Sequence, residues 1–307
     1  MKNGVGMLGL GIMGSAMSAN LIRAGFKVIG FDVAPERMAA FAAAGGVPAQ
    51  CAREVAEQAD IVISVLPSVA ALDESVAGAH GMLASGRSDL ILVEASTFPI
   101  QDKVRIRDLC ASSITVLDCP LSGTGAQALT KDLSVYASGD AQACARCEPV
   151  FAGFARSQHY LGEFGKGSKM KFVANLLVAI HNVSTAEAFV LGMKSGLDAD
   201  AIYKVIGDGA GSSRMFQVRG PMMVRGEYEP ATMKVEIWQK DMKIISEFAA
   251  GLGAPTPLLA ASAAYYTAAM AQGRGHEDTA AVCAVMEEMA RYQRDQTDKP
   301  SSKEVLP

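Results

Sequence analysis

A lysine and an amide separated by one helical turn are the residues of this chain best suited to act together on a small molecule. Lys171 and Asn175 lie four positions apart within residues 165–175, Gly-Lys-Gly-Ser-Lys-Met-Lys-Phe-Val-Ala-Asn. Residues at i and i+4 share one face of a helix, so an ammonium and a carboxamide can converge on one substrate. A lysine acts as a general acid or base once its pKa falls from about 10.4 towards neutrality. Taken alone, the pattern more often marks a solvated lysine on an ordinary amphipathic helix.

A glycine-rich turn near the amino terminus predicts a bound dinucleotide. Residues 5–8 have the apolar character of a buried strand, residues 9–14 read Gly-Leu-Gly-Ile-Met-Gly, and a helical segment follows. In a strand, turn and helix of this kind the backbone approaches a pyrophosphate, and the helix N-terminus attracts its charge. The predicted cofactor contacts in this turn are Gly9, Gly11, Ile12, Met13 and Gly14.

An acid at the end of the second predicted strand, residues 26–31, bears on which cofactor binds. Asp32 lies where a carboxylate accepts hydrogen bonds from both ribose hydroxyls and repels a 2′-phosphate. The sequence therefore favours NAD. Arg37 keeps NADP open, because a mobile guanidinium could pair with that phosphate.

Strand signals alternate with helical segments, which predicts a doubly wound parallel sheet of the Rossmann type. The further strands are expected at residues 61–66, 90–95, 114–117, 133–137 and 159–161. Ligands of such sheets bind beyond the carboxyl ends of the strands, so we expect functional residues there. They are Leu66, Pro67, Thr97 and the turn Ser122-Gly123-Thr124, whose backbone N–H groups could hold a carboxylate. An ordinary glycine and serine turn fits that last segment equally well.

Long helical patterns dominate the chain after Gly167. They cover residues 169–194, 200–208, 235–251, 258–272 and 279–292. We expect an NAD(P)-binding Rossmann domain at 1–164, an all-helical substrate and oligomerisation domain at 165–294, and a polar tail at 295–307. The first long helix would join the two domains. Lys240, followed by an acid, could present an ammonium to a ligand, although a surface ion pair is the commoner meaning.

Composition and charge exclude several classes of partner. The chain has 307 residues, of which 50% are hydrophobic and 20% charged, enough for two folded domains. A net charge of -4 without a basic run argues against nucleic acid. No stretch approaches the roughly 18 apolar residues of a membrane span, and the amino terminus lacks signal-peptide features, so we expect a cytoplasmic protein. The six cysteines are irregularly spaced, which favours reduced thiols and no metal site.

Four segments, in order along nearly the whole chain, resemble motifs of the β-hydroxyacid dehydrogenase family of 3-hydroxyisobutyrate dehydrogenase and its relatives. They are residues 9–14 with Ala19-Asn20-Leu21, residues 118–123 (Asp-Cys-Pro-Leu-Ser-Gly), residues 165–175, and Lys240-Asp241-Met242. Residues 210–216, with Arg219 after them, most resemble the acid-sugar, L-threonate dehydrogenase-like branch. The chain departs from the family at Thr124, usually glycine, and at Ala174, usually asparagine.

The resemblance implies reversible, NAD(P)-dependent oxidation of a small 3-hydroxy acid by a homodimer or homotetramer. The acid would be of the 3-hydroxyisobutyrate, glycerate/tartronate semialdehyde or threonate type, and the Thr124 departure leaves that choice open. Lys171 would be the catalytic lysine and Thr97 would lie beside the nicotinamide. The implied substrate contacts are Ser122, Gly123, Thr124, Asn175 and Lys240, with Lys240 also near the cofactor. Two alternatives remain: an imine reductase-like NADPH enzyme of the same fold, which Lys171 opposes, and a non-catalytic NAD-binding module.

Overall fold

The computed structural model describes residues 4–294 of the chain. These residues form two compact units, which divide between Val173 and Ala174. The division falls inside one helix, α8 (Lys166–Lys194). The expected polar tail at 295–307 lies outside the described residues.

Six parallel strands form the main sheet of the first unit. They are β1 (Val5–Leu8), β2 (Val28–Phe31), β3 (Val47–Pro48), β4 (Ile61–Ser64), β5 (Leu90–Glu94) and β6 (Ile114–Asp118). Their order is β3-β2-β1-β4-β5-β6, so the winding reverses at β1, between β2 and β4. The predicted doubly wound Rossmann sheet is confirmed.

Helices cover both faces of this sheet. They are α1 (Ile12–Arg23), α2 (Pro35–Ala43), α3 (Ala52–Gln58), α4 (Val69–Ala77) and α5 (Ile100–Cys110). Successive residues of one strand pack into different apolar clusters: Ile91 and Val93 into one, and Leu90 and Leu92 into the other. Because side chains alternate across a strand, this places an apolar core on each face of the sheet.

A second, three-stranded sheet holds the two last strands predicted for this unit. It consists of β7 (Leu121–Ser122), β8 (Ser134–Ala137) and β9 (Ser157–Tyr160), joined through α6 (Gly125–Leu129) and α7 (Ala141–Phe154). Segments 133–137 and 159–161 therefore do not belong to the doubly wound sheet, in which the alternation had placed them. β8 runs antiparallel to β7 and parallel to β9. Local alternation of strands and helices carries no information about which strands pair.

The second unit is helical, as expected. Beyond α8 it contains α9 (Ala199–Gly207), α10 (Arg214–Arg225), α11 (Val235–Gly251), α12 (Pro257–Ala271) and α13 (Val282–Met289). Helix α10 was not predicted from the sequence, because Gly220 and Pro221 interrupt its pattern. It forms with Ser213 as N-cap, whose Oγ accepts a hydrogen bond from the Phe216 N–H at 3.0 Å. The Phe216 ring stacks on Phe189, with the ring centroids 5.6 Å apart.

Helix α8 is long and apolar enough, by length and composition, to cross a membrane. Of its most apolar 18-residue window, 44% is buried inside the protein. A core helix of a globular domain has the same properties, so this observation is weak evidence for a membrane span.

Candidate active site

The turn between β1 and α1 has the geometry that a dinucleotide requires. A side chain at Gly9, whose φ is +89°, would collide with the Val65 carbonyl, and one at Gly14 would collide with the Gly9 carbonyl. The fold therefore requires glycine at both positions, whether or not a cofactor is bound. A Cβ at Gly11 would meet nothing closer than the Arg37 guanidinium, at 4.0 Å. The open space over Gly11 therefore fits a pyrophosphate approaching the backbone at the start of α1.

The Asp32 carboxylate is fixed at the end of β2. Its Oδ2 accepts a hydrogen bond from the Leu10 N–H at 2.7 Å, and its Oδ1 accepts one from the Ala34 N–H at 2.9 Å. Burial alone would raise the pKa of Asp32, but these hydrogen bonds and the Arg37 guanidinium, 3.3 Å away, hold it below its usual value. The charged carboxylate suits a ribose diol, while the half-exposed Arg37 could pair with a phosphate. Both nicotinamide cofactors fit this geometry.

The segments that follow β4 and β5 are joined by side-chain hydrogen bonds. The Leu66 N–H donates to Ser96 Oγ at 2.9 Å, and the Ser96 N–H donates to Glu94 Oε1 at 2.9 Å. Leu66 and Thr97 are partly buried, and Pro67 is exposed. The structure thus links the two strand ends at which we predicted cofactor contacts.

The turn at Ser122-Gly123-Thr124 is built around a glycine and a helix cap. Gly123 has a φ of +134°, and a Cβ there would lie 2.5 Å from the Leu133 side chain. Thr124 is the N-cap of α6: its Oγ1 accepts from the Gln127 N–H at 3.4 Å, and its own N–H donates to Gln127 Oε1 at 3.0 Å. This capping box explains a threonine at the position. The Thr124 N–H and hydroxyl are thus both engaged with Gln127.

The first turn of α8, which precedes Lys171, is fixed to the end of β6. The N–H and Oγ of Ser168 donate to Asp118 Oδ2 and Oδ1, each at 2.7 Å. The Gly167 N–H donates to Ser138 Oγ at 2.9 Å, and a Cβ at Gly167 would lie 2.6 Å from the Asp118 carbonyl oxygen. Lys171 is partly buried and lies three residues after Ser168, about 4.5 Å further along the helix axis.

Asp118 belongs to a buried charge cluster that the sequence analysis missed. Its neighbour in the β5–β6 register is Glu94, and the Lys103 ammonium bridges the two carboxylates, 2.6 Å from Glu94 Oε2 and 2.9 Å from Asp118 Oδ1. Burial alone would lower the pKa of Lys103, but the two carboxylates raise it above its usual value. The spacing of Lys103 from Ile106 and Cys110 could have indicated its burial, because the three residues share the buried face of α5.

In the second unit, Asp241 contacts both remaining candidate residues. The Asn175 Nδ2 donates to Asp241 Oδ2 at 3.1 Å, and the Lys240 Nζ lies 3.5 Å from Asp241 Oδ1. Asp241 and Asn175 are buried, whereas Lys240 is about one-third exposed. Asn175 shares a face of α8 with Lys171, one turn away. Asp241 was not among the predicted site residues, although it follows Lys240 directly in its motif.

The described residues, 4–294, contain no group of three or more His, Cys, Asp or Glu side chains that could hold a metal ion. Cys144 and Cys147, the CxxC pair, are buried, and burial raises the pKa of these thiols to about 11 and about 12. Such thiols are weak nucleophiles and weak metal ligands.

Known proteins resemble this chain along almost its whole length. The family model described as the NAD binding domain of 6-phosphogluconate dehydrogenase matches residues 4–162, and the one described as NAD-binding of NADP-dependent 3-hydroxyisobutyrate dehydrogenase matches residues 165–286. The L-threonate dehydrogenase of Cupriavidus necator is 34% identical over 92% of this chain and 95% of its own length. That of Haemophilus influenzae is 32% identical, over 91% and 93%. The crystal structure of a 3-hydroxyisobutyrate dehydrogenase from Salmonella typhimurium superposes with a TM-score of 0.84 at 30% identity, covering 92% of this chain and 100% of that one.

Proposed function

Because the chain belongs to the β-hydroxyacid dehydrogenase family of NAD(P)-binding oxidoreductases, we propose that it transfers hydride reversibly between a nicotinamide cofactor and a small 3-hydroxy acid. One observation carries the proposal: Ser168, one turn before Lys171, is bound to Asp118, which begins the segment leading to Ser122. The carboxylate at the start of the segment that leads to the proposed anion-binding turn thereby also holds the first turn of the helix that carries Lys171. The similarity to L-threonate dehydrogenases favours a sugar acid, with 3-hydroxyisobutyrate and glycerate as the other candidates.

The bound nicotinamide supplies the hydride acceptor or donor. Asp32 is assigned to the adenosine ribose, which favours NAD, and Arg37 keeps NADP possible. The remaining proposed cofactor contacts are Gly9, Gly11, Ile12, Met13, Gly14, Leu66, Pro67, Thr97 and Lys240.

The chain's own residues perform proton transfer and orientation in this proposal. Lys171 accepts the proton of the substrate hydroxyl during oxidation and returns it during reduction. If its ammonium stays protonated, it polarises the same oxygen instead. Asn175, oriented by Asp241, donates a hydrogen bond to the substrate. Ser122 and Gly123 bind the carboxylate, Thr124 fixes their turn through its capping box, and Lys240 supplies a second ammonium for the substrate.

The decisive experiment compares two lysines of the same helix. With NAD or NADP and a screen of three- to five-carbon hydroxy acids, nicotinamide absorbance reports turnover. We expect Lys171→Ala to lower turnover at least about 10²-fold without loss of cofactor binding. Lys169→Ala, an exposed position two residues earlier, is the matched control and should keep wild-type turnover. Near-normal turnover in Lys171→Ala would contradict the assignment, and activity confined to acids with a hydroxyl at C2 and none at C3 would contradict the substrate class.

The assembly and the compartment extend the same proposal. We expect a homodimer or homotetramer in the cytoplasm, as the family resemblance and the composition imply. Light scattering on the purified protein measures the first, and cell fractionation measures the second.

A further inference from the structure

We propose that Lys103 is a positioning residue for catalysis. It holds the start of α8, and the segment after β5, in place through the buried carboxylates of Asp118 and Glu94. With 1% of its surface exposed, it acts through these partners and not by contact with a ligand. The inference rests on the proposed function, since Lys171 is the group whose position it sets.

The composition of the cluster argues for a specific purpose. Lys103, Glu94 and Asp118 are each at most 1% exposed, and one cation faces two carboxylates. Removing such groups from water costs several kcal/mol per ion, so apolar residues at these positions would stabilise the sheet at least as well. The excess negative charge lies against the N-terminus of α8, where the Ser168 N–H donates to Asp118. A helix N-terminus stabilises a carboxylate at this place.

The position of the cluster shows what it holds. Strand β5 ends at Glu94 and β6 at Asp118. Around these strand ends the buried carboxylates add side-chain hydrogen bonds to neighbouring segments. Glu94 holds the Ser96 N–H, next to Thr97, and Asp118 holds Ser168. Lys103 therefore joins the segments after β5 and β6 to the start of α8, and these three segments carry the proposed active-site residues Thr97, Ser122 and Lys171.

Loss of these bonds should affect turnover more than cofactor affinity. Lys171 is one turn from Ser168, so displacement of the first turn moves its ammonium by a similar distance. A misplacement of about 1 Å at a reacting group costs on the order of 10² in rate. The glycine turn and Asp32 lie outside the cluster and should keep their affinity for the cofactor.

The test uses two serine-to-alanine variants of the full-length protein. Ser168→Ala removes the Oγ hydrogen bond to Asp118 and keeps the backbone one. Ser262→Ala is the matched control, because Ser262 is also buried and its Oγ donates to the Leu258 carbonyl at 2.8 Å in the second unit. We expect similar small losses of Tm. In Ser168→Ala alone, kcat should fall about tenfold or more, its pH profile should shift, the KM for cofactor should hold, and the amides of the first turn of α8 should exchange faster.

A charge-matched pair of changes tests Lys103 itself. Lys103→Met combined with Glu94→Gln removes one cation and one carboxylate, so the net charge of the cluster is conserved. If Lys103 acts on Ser168 through Asp118, the kcat loss of this variant and that of Ser168→Ala should not add when they are combined.

The outcomes separate this inference from the proposed function. A wild-type protein that turns over no hydroxy acid with either cofactor would overturn the proposed function, and with it this inference. If the wild type is active, the inference alone is overturned when Ser168→Ala keeps its kcat and pH profile. It is also overturned when Ser262→Ala loses as much kcat as Ser168→Ala. Additive kcat losses in the combined variant would also overturn it.

Discussion

Each unit of the protein contains a buried cluster of opposite charges, and the two differ in what they hold. In the first unit Lys103 faces two carboxylates, and the other hydrogen bonds of those carboxylates go to segments bearing proposed active-site residues. In the second unit Arg219 pairs with a single carboxylate, Asp278, at 2.9 Å. Buried charges hold irregular segments in both units, and those of the first unit are bonded to the first turn of the helix that carries the proposed catalytic lysine.

The bonding partners of Asp278 in the described part of the chain lie within its own unit. Asp278 accepts hydrogen bonds from the N–H groups of Thr232, Met233 and Ala280, at 2.8, 3.0 and 3.0 Å. These bonds join helix α10, which carries Arg219, to the chain before α11 and the chain before α13. Arg219 belongs to the segment that resembles the acid-sugar branch, yet its guanidinium is engaged in this structural pair. We therefore expect the second cluster to govern stability and the first to govern stability and turnover.

The largest effect is expected from Lys103→Met. This change leaves Glu94 and Asp118 buried without their cation, and breaking such a cluster typically costs about 3–5 kcal/mol. Denaturant unfolding measures the free energy of unfolding, and Lys204→Met, at an exposed position of α9, is the matched control. Equal stability of the two variants would show that the Lys103 ammonium is dispensable for the fold.

A somewhat smaller effect is expected from Arg219→Met. It removes the cation from Asp278, but three backbone N–H donors still solvate the carboxylate, so we expect a loss towards the lower end, about 3 kcal/mol. The folded variant should keep wild-type kcat and KM, assayed well below its Tm. A kcat loss comparable to that of Ser168→Ala would erase the distinction between the two clusters.

Local sequence patterns predicted the regular elements well. Residues 5–8 and 235–251 were assigned to a strand and a helix with the boundaries that the structure shows, because the first is a short apolar run before a glycine-rich turn and the second keeps a helical apolar period. Strand β7 was not predicted, because two residues make no pattern. Helix α10 was not predicted, because Gly220 and Pro221 disfavour a helix in the absence of the packing of Phe216 on Phe189. The partners of β8 could not be inferred, since pairing depends on contacts distant in sequence.

Those candidate-site residues that lie just after a strand could be predicted from the sequence. Residues after β4, β5 and β6 could be named by that rule alone. Lys103 and Asp241 were not predicted, because a charged residue within a helical pattern is usually solvated. Tertiary burial is what turns these two residues into fixed partners of Asp118 and Asn175.

An effect of intermediate size is expected from Asp278, and the pH dependence of the free energy of unfolding should reveal its ionic role. Burial alone would raise the pKa of Asp278, but Arg219 and the hydrogen-bond donors lower it below its usual value. The carboxylate therefore contributes stability above about pH 4, and this is lost as the pH falls through the folded-state pKa. Asp278→Asn should cost about 2 kcal/mol at pH 7, and the difference from wild type should shrink on acidification. Asp208→Asn, at an exposed position, should behave as wild type; a difference for Asp278→Asn that did not change with pH would contradict the ionic role.

The smallest effects come from removing one hydroxyl from each cluster. Ser138 Oγ lies 3.2 Å from Asp118 Oδ2 and accepts the Gly167 N–H, and Thr232 Oγ1 donates to Asp278 Oδ2 at 2.7 Å. Ser138→Ala and Thr232→Val should each cost about 1 kcal/mol of unfolding free energy. Turnover should fall in Ser138→Ala alone, because Gly167 is in the first turn of the helix that carries Lys171. Steady-state kinetics of the two variants, matched in stability, would therefore separate a cluster that positions a catalytic residue from one that stabilises its own unit, and equal kcat values would refute that separation.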